Sequence, residues 1–179
     1  MAETAVGASR TVGGTGIFKG SQKVKIISHS VGHTIAIGRL IARYAGSGSI
    51  ICLFGPLGSG KTVLTKGIAC GLGIDRESVI SPSFVLMRQY SHLNRTLYHF
   101  DLYRLNRPRD ILALGYEEYF YGNGITVIEW PQKLGFLMPD EFIKVELRLG
   151  SDSRRTLILS AVGRRYRDSL EKIHEDIRH

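Results

Sequence analysis

Two cysteines, one tryptophan and five prolines are all that this chain of 179 residues holds of those types. Two cysteines cannot build a disulfide framework. Cys52 and Cys70 both fall within apolar segments, so they read as small buried hydrophobes. With so little proline and no triplet period, the 21 glycines make the chain neither collagenous nor low-complexity. No apolar run approaches the roughly 18–20 residues that a membrane-spanning helix requires, so no membrane association is expected. The opening Met-Ala-Glu-Thr has no basic stretch with an apolar one behind it, so no secretory signal is expected and the expected location is cytoplasmic. The six histidines fall at no zinc-ligand spacing with the cysteines, and no zinc site is expected.

What is present fits a soluble globular protein. Hydrophobic residues make up 43% and charged residues 22%, enough to bury a core. The length suits one folding unit, expected over 22–179, after a disordered, Gly/Ser/Thr-rich tail at 1–21. Lys plus Arg number 24 against 16 Asp plus Glu, a net charge of +8. Such a surface favours a polyanionic companion: a nucleotide, tRNA or an acidic protein. Arg154, Arg155, Arg164, Arg165 and Arg167 are the densest basic group and the candidates for any direct tRNA contact.

Hydropathy periods give a coarse element order. A strand is expected at 23–28 and an amphipathic helix at 32–45. Ser49–Phe54 is a continuous apolar run of the kind a strand buried on both faces shows. A helix should follow at 61–70, ended by Gly71 and Gly73. Strands are expected at 97–103 and 125–129, with one helix at 108–121 between them. A hairpin of 142–149 and 155–161 and a charged C-terminal helix at 163–177 complete the order. The fold class is therefore α/β, a P-loop NTPase-like sheet with a mostly parallel core, antiparallel additions and flanking helices.

The strongest chemical signal is Gly55-Pro-Leu57-Gly58-Ser59-Gly60-Lys61-Thr62, which matches G-x-x-x-x-G-K-[ST] between a buried strand and a helix. Glycines let successive backbone N–H groups turn inward onto phosphate oxygens, and the following helix adds its positive dipole end. Lys61 would reach the outer phosphates, the Thr62 hydroxyl would ligate Mg²⁺, and Val63 follows in the same turn. A magnesium carboxylate is needed at a neighbouring strand end. Asp101 and Glu129 each end an apolar strand, and either can serve the metal while the other orients water. Strand alternation puts His99, Asp101 and Tyr103 on one face, with His99 in a supporting role. Ser81 and Ser83 lie where switch-like loops bring a hydroxyl to the γ-phosphate. Trp130 is either a surface for a nucleotide base or a core plug, and Arg88 and Arg104 are further positive charges available to a phosphoryl group.

GTPase signatures, Asp-x-x-Gly and Asn-Lys-x-Asp, do not occur. Gly55–Thr62, Ser81-Pro-Ser83-Phe84, His99-Phe-Asp101-Leu-Tyr-Arg-Leu105, Glu117-Glu118 and Val127-Ile-Glu129-Trp130-Pro131 together resemble the ordered signature of the TsaE (YjeE) family. The likeness spans about residues 23–162. It implies a small Mg²⁺-dependent ATPase that works with TsaB and TsaD, the proteins that install threonylcarbamoyl on an adenosine of ANN-decoding tRNAs. It implies hydrolysis that resets that complex and is weak in the isolated chain. By position, Lys61 binds phosphate, Thr62 and Glu129 serve Mg²⁺, Asp101 is a metal-shell or water-positioning carboxylate, Ser83 is the switch hydroxyl and Trp130 neighbours the base. Ser83 stands where the family usually has threonine, and Pro56 where it commonly has an acid. Two alternatives share the phosphate loop: a nucleotide-dependent binding module that needs no turnover, and a small P-loop kinase.

Overall fold

The computed structural model describes residues 23–150, 152 and 154–178. The expected N-terminal tail lies outside them, as do Ser151 and Ser153 of the hairpin turn. Seven strands form one sheet in the order β1-β7-β6-β2-β5-β4-β3. They are β1 (Lys23–Ser28), β2 (Ile50–Phe54), β3 (Met87–His92), β4 (Arg95–Asp101), β5 (Ile125–Glu129), β6 (Phe142–Leu149) and β7 (Arg155–Val162). Strands β6, β2, β5 and β4 run parallel. Strands β7 and β1 add antiparallel on one side and β3 on the other.

Burial explains the split between parallel centre and antiparallel edges. Every residue of β5 is buried and only Phe54 of β2 is not, as expected of strands covered on both faces. β1 instead alternates, with Val24, Ile26 and Ser28 inward. On one face lie α1 (Val31–Tyr44), α2 (Lys61–Gly71) and α5 (Arg167–Arg178), over a core that includes Ile41, Ile51, Leu53, Leu64, Ile68 and Val127. The other face is covered by the short helices α3 (Arg109–Leu112) and α4 (Tyr116–Phe120) and a 3₁₀ stretch at Pro131–Leu137, over Cys52, Phe100, Phe120 and Ile128. Burial pushes the Cys52 thiol well above the ordinary cysteine range, which keeps it an inert hydrophobe. Cys70 is half-buried.

Local signals set the ends of the elements. Ser30 caps α1 by accepting the His33 N–H at 3.0 Å. The Tyr166 hydroxyl accepts the Ile50 N–H at 3.0 Å and ties the approach to α5 to the start of β2. Three expectations are corrected. The helix expected at 108–121 is two pieces, because Gly115 takes a left-handed φ of 62° between them. Residues 87–92, given no element by the sequence pattern, form β3. The strand expected at 97–103 begins at Arg95 and ends at Asp101, so Tyr103 lies beyond it. Among the described residues, no helix is long and apolar enough to cross a membrane.

Candidate active site

The parallel register brings three strand ends to one level. Leu53 of β2 pairs with Glu129 of β5, and Glu129 with Asp101 of β4. Ligands of such sheets sit beyond these carboxyl ends, and here β2 runs straight into the glycine-rich turn. Gly55 has φ 146°, and a Cβ there would stand 2.4 Å from the Leu147 carbonyl oxygen, so only glycine lets the turn leave β2 this close to β6. The turn ends at Gly60, the N-cap of α2, with φ 99° and no side chain on the first N–H groups of the helix. Those donors and the helix dipole point at the cleft, an arrangement that favours an anion.

Lys61 opens α2 and is 4% exposed. Its ammonium donates to the carbonyls of Gly55 and Pro56, both at 2.9 Å, and lies 3.9 Å from the centre of the Trp130 ring. Burial holds its pKa below the usual lysine value, while the Glu129 and Asp101 carboxylates pull the other way. Glu129 is 2% exposed and is held from three sides. Thr62 Oγ1 donates to Oε2 at 3.2 Å, His99 Nε2 stands 2.9 Å from Oε1, and Thr65 Oγ1 is 3.5 Å from that same oxygen. His99 is wholly buried and its Nδ1 has no hydrogen-bond partner among the described residues. Asp101 accepts from Ser81 Oγ on one oxygen and from the Tyr103 N–H, at 3.1 Å, on the other.

These groups line a cleft of about 430 Å³. Leu57, Gly58, Gly60, Lys61, Thr62 and Val63 form its floor. Asp101 and Glu129 stand on one side with Ser81 and Ser83, and Trp130 borders it with Tyr103, their ring centres 5.1 Å apart. Trp130, at φ 60°, is only partly buried: its ring lines the cleft and also packs on the core. Gly55 and Ser59 shape the turn without lining the cleft, and Ser59 is fully buried. Arg104 borders the cleft with its guanidinium 4.1 Å from the ring centre of the exposed Phe84. Arg88 does not line it and points from the edge strand β3.

Sequence reasoning missed two contributors. Thr65 sits one helical turn after Lys61, bonded to its carbonyl and directed at Glu129; the i, i+4 spacing is readable but marks no chemistry by itself. Arg155, grouped by sequence with the surface arginines, lines the cleft because the antiparallel return of β7 carries it there. No local pattern reveals that. Chemically, the cleft offers one buried ammonium, a row of inward N–H groups, and a hydroxyl and a carboxylate 3.2 Å apart, which is what a polyphosphate and a hard divalent cation require.

Residues 28–157 match the model of the TsaE family, threonylcarbamoyl adenosine biosynthesis protein TsaE. The tRNA threonylcarbamoyladenosine biosynthesis protein TsaE of Bacillus subtilis is 38% identical over 146 residues, 80% of this chain and 90% of that protein. The protein of the same name from Treponema pallidum is 36% identical over 137 residues, 76% of this chain and all of that one. Among solved structures, that of YdiB from Bacillus subtilis superposes with a TM-score of 0.76 at 32% identity, covering 88% of this chain and 97% of that one.

Proposed function

This chain belongs to the TsaE family, and from that premise we propose that it is a Mg²⁺-dependent ATPase serving the threonylcarbamoyladenosine modification of tRNA. The observation that carries the hydrolytic reading is the contact between Thr62 and Glu129. A hydroxyl from the first turn of α2 and a buried carboxylate from β5 meet beside the phosphate loop, as a P-loop metal site requires. Thr62 and Glu129 would hold Mg²⁺, which would supply positive charge to offset the charge developing on the transferring phosphoryl group. Lys61 exchanges the Gly55 and Pro56 carbonyls for phosphate oxygens. Asp101, oriented by Ser81 and the Tyr103 N–H, positions the attacking water, and Ser83 supplies a second hydroxyl at the γ end. Trp130 gives the base or ribose an aromatic neighbour.

The partners are TsaB and TsaD, in the cytoplasm, with hydrolysis resetting their complex; tRNA is contacted through that complex or by the basic surface. Turnover is weak in the isolated chain, and a partner raises it. The test is phosphate release by the purified protein with and without TsaB and TsaD. Stimulation by the partners is expected, with a fall of about 10²–10³-fold in Lys61→Ala, the usual cost of one lost transition-state donor. No stimulation, with Lys61→Ala turning over like the unmodified protein, overturns the reading. If Asp101→Asn and Glu129→Gln leave tRNA modification intact, turnover is unnecessary and the protein is a nucleotide-dependent binding module.

A further inference from the structure

The parallel strands β2, β4, β5 and β6 begin at the pole opposite the nucleotide cleft, and α1 and α2 end there. Strands rise about 3.3 Å per residue, so that pole lies roughly 15–20 Å from the phosphate loop. Two hollows open on it, of about 560 and 510 Å³. They share Gly71, Leu72, Asn94 and Arg95, and so form one elongated groove. Arg39, Arg43 and Arg95 border it with Asn94, Asn123 and His92, and among the described residues no Asp or Glu lines either hollow. A fourth guanidinium reaches the same rim, where Arg165 donates to the carbonyl of Ser47, a lining residue, at 3.4 Å. Contacts within the protein use little of this charge. Helix ends draw cations through their last carbonyls, and Arg95 donates to the Gly71 carbonyl at 3.1 Å, but most of its N–H donors remain. Arg43 pairs with Asp176 at 3.1 Å with its side chain 68% exposed, and such exposed pairs contribute little. Arg39, exposed on α1, has no hydrogen bond or ion pair among the described residues. Like charges gathered around one groove repel each other and focus their field on an anion.

We propose that this groove is an RNA-binding surface, on which Arg39, Arg43, Arg95 and Arg165 hold backbone phosphates of a tRNA. A chain of phosphates fits it better than one small anion. The groove joins two hollows, and its guanidiniums come from α1, β4 and the approach to α5. The planar fork of arginine matches phosphate oxygens, and the amides of Asn94 and Asn123 offer donors and acceptors to a ribose 2′-hydroxyl or a base edge. Sequence grouped Arg165 with the candidates for tRNA contact, and the fold sets it beside three arginines from distant stretches of the chain. The inference rests on the tRNA part of the reading above and names a surface for it. It is independent of the ATPase part, because the groove and the nucleotide cleft have no lining residue in common. RNA seated here leaves the phosphate loop open, so both ligands are held at once.

The experiment is fluorescence anisotropy of an unmodified tRNA transcript titrated with the full-length protein across a salt series, beside phosphate release from Mg²⁺-ATP. Variants are Arg39→Gln, Arg39→Gln combined with Arg43→Gln and, as a control, Arg154→Ala. The control removes one positive charge at the other pole, where Arg154 faces Asp152 at 3.3 Å. Each lost phosphate contact is expected to weaken RNA binding about 3- to 10-fold at low salt and to lower the slope of log affinity against log salt by about 1. The double variant should therefore lose about 10- to 100-fold, and Arg154→Ala should bind like the unmodified protein. ATP turnover should be unchanged in both groove variants. Equal RNA affinity in the double variant and the unmodified protein overturns the proposal. So does an equal loss in Arg154→Ala, which would mean that net charge alone attracts the RNA. Complete displacement of the tRNA by pyrophosphate at constant ionic strength would mark a pocket for a small anion and count against an RNA surface. If the double variant does not fold, Arg39→Gln decides, since that side chain has no contact to lose among the described residues. An unmodified protein that binds no tRNA overturns the groove and leaves the ATP-site reading standing, whereas one that binds tRNA but no nucleotide does the reverse.

Discussion

Glu129 is a buried carboxylate whose direction is set by its neighbours. His99 Nε2 at 2.9 Å is the shortest of them, and the ring is wholly enclosed, so no water can replace it. A buried hydrogen bond to a charged group contributes about 1.5–3 kcal/mol, and leaving one partner unsatisfied costs on that scale. His99→Leu should therefore lower the urea unfolding free energy by about 2 kcal/mol or more. His99→Gln, which can place an amide N–H near the same oxygen, should lose less. Because Oε1 also receives Thr65 only at 3.5 Å, Glu129 in His99→Leu has no short contact on that oxygen, and the Mg²⁺ concentration needed for half-maximal turnover should rise. Equal stability of the two variants, with unchanged Mg²⁺ dependence, would show that the histidine only fills space. Strand alternation predicted that His99 and Asp101 share a face. It could not predict the partner, because Glu129 reaches His99 only through the parallel pairing of β4 with β5, where His99 lies opposite Val127.

Helices α1 and α2 touch backbone to backbone. A Cβ on Gly67 would stand 2.4 Å from the Ile35 carbonyl oxygen, and one on Gly38 would stand 2.5 Å from the Leu64 carbonyl oxygen. Glycine costs a helix interior about 1 kcal/mol relative to alanine, so both residues work against local propensity in favour of close packing. Gly67→Ala should accordingly destabilise the protein by about 1–3 kcal/mol despite the better helix former, since overpacking exceeds the propensity gain. Gly32, exposed in the first turn of α1 with nothing nearer than 3.8 Å to its missing Cβ, should give the opposite sign, a gain of about 0.5–1 kcal/mol. Denaturant midpoints of the two variants check this, and the idea fails if both shift the same way. The shift also reaches the cleft, because pushing α2 away moves the N–H groups that would meet phosphate, so Gly67→Ala should weaken nucleotide binding and Gly32→Ala should not. Elements with one clean pattern were legible in the chain: β2 as a continuous apolar run, β5 as a short apolar strand closed by an acid, α1 as an amphipathic stripe. β3 was not, because an edge strand paired on one side exposes most of Met-Arg-Gln-Tyr-Ser-His and shows no apolar alternation. The split of α3 from α4 depends on a single left-handed glycine inside an otherwise helical pattern.

At the scale of the whole molecule, the cleft is assembled from distant stretches of chain that only the sheet order joins. The loop after β2, the ends of β4 and β5, and the first residue of β7 meet at one place. The first three were readable as motifs; the fourth was not, since an arginine opening a hairpin strand looks like any surface charge until β7 folds back beside β6. The assembled cleft is electrostatically one-sided on its phosphate flank, with Lys61, Arg155 and the start of α2 converging, and burial already disfavours the Lys61 ammonium. A ligand that brings negative charge there binds the folded state and not the unfolded chain, so it must raise the melting temperature. At a nucleotide concentration of about one hundred times Kd the stabilisation is about 2.7 kcal/mol, and for a domain of this size each kcal/mol is worth about 2–4 °C. Mg²⁺-ATP should therefore raise Tm by about 5–10 °C in scanning calorimetry, with adenosine, which lacks phosphates, giving almost none of that shift. Lys61→Ala should lose most of the response while melting near the unmodified protein without nucleotide, because its removal relieves a buried charge as well as two hydrogen bonds to the loop. A full shift with adenosine, or an undiminished one in Lys61→Ala, would mean that the stabilising contacts are to the base and that the phosphate flank contributes nothing.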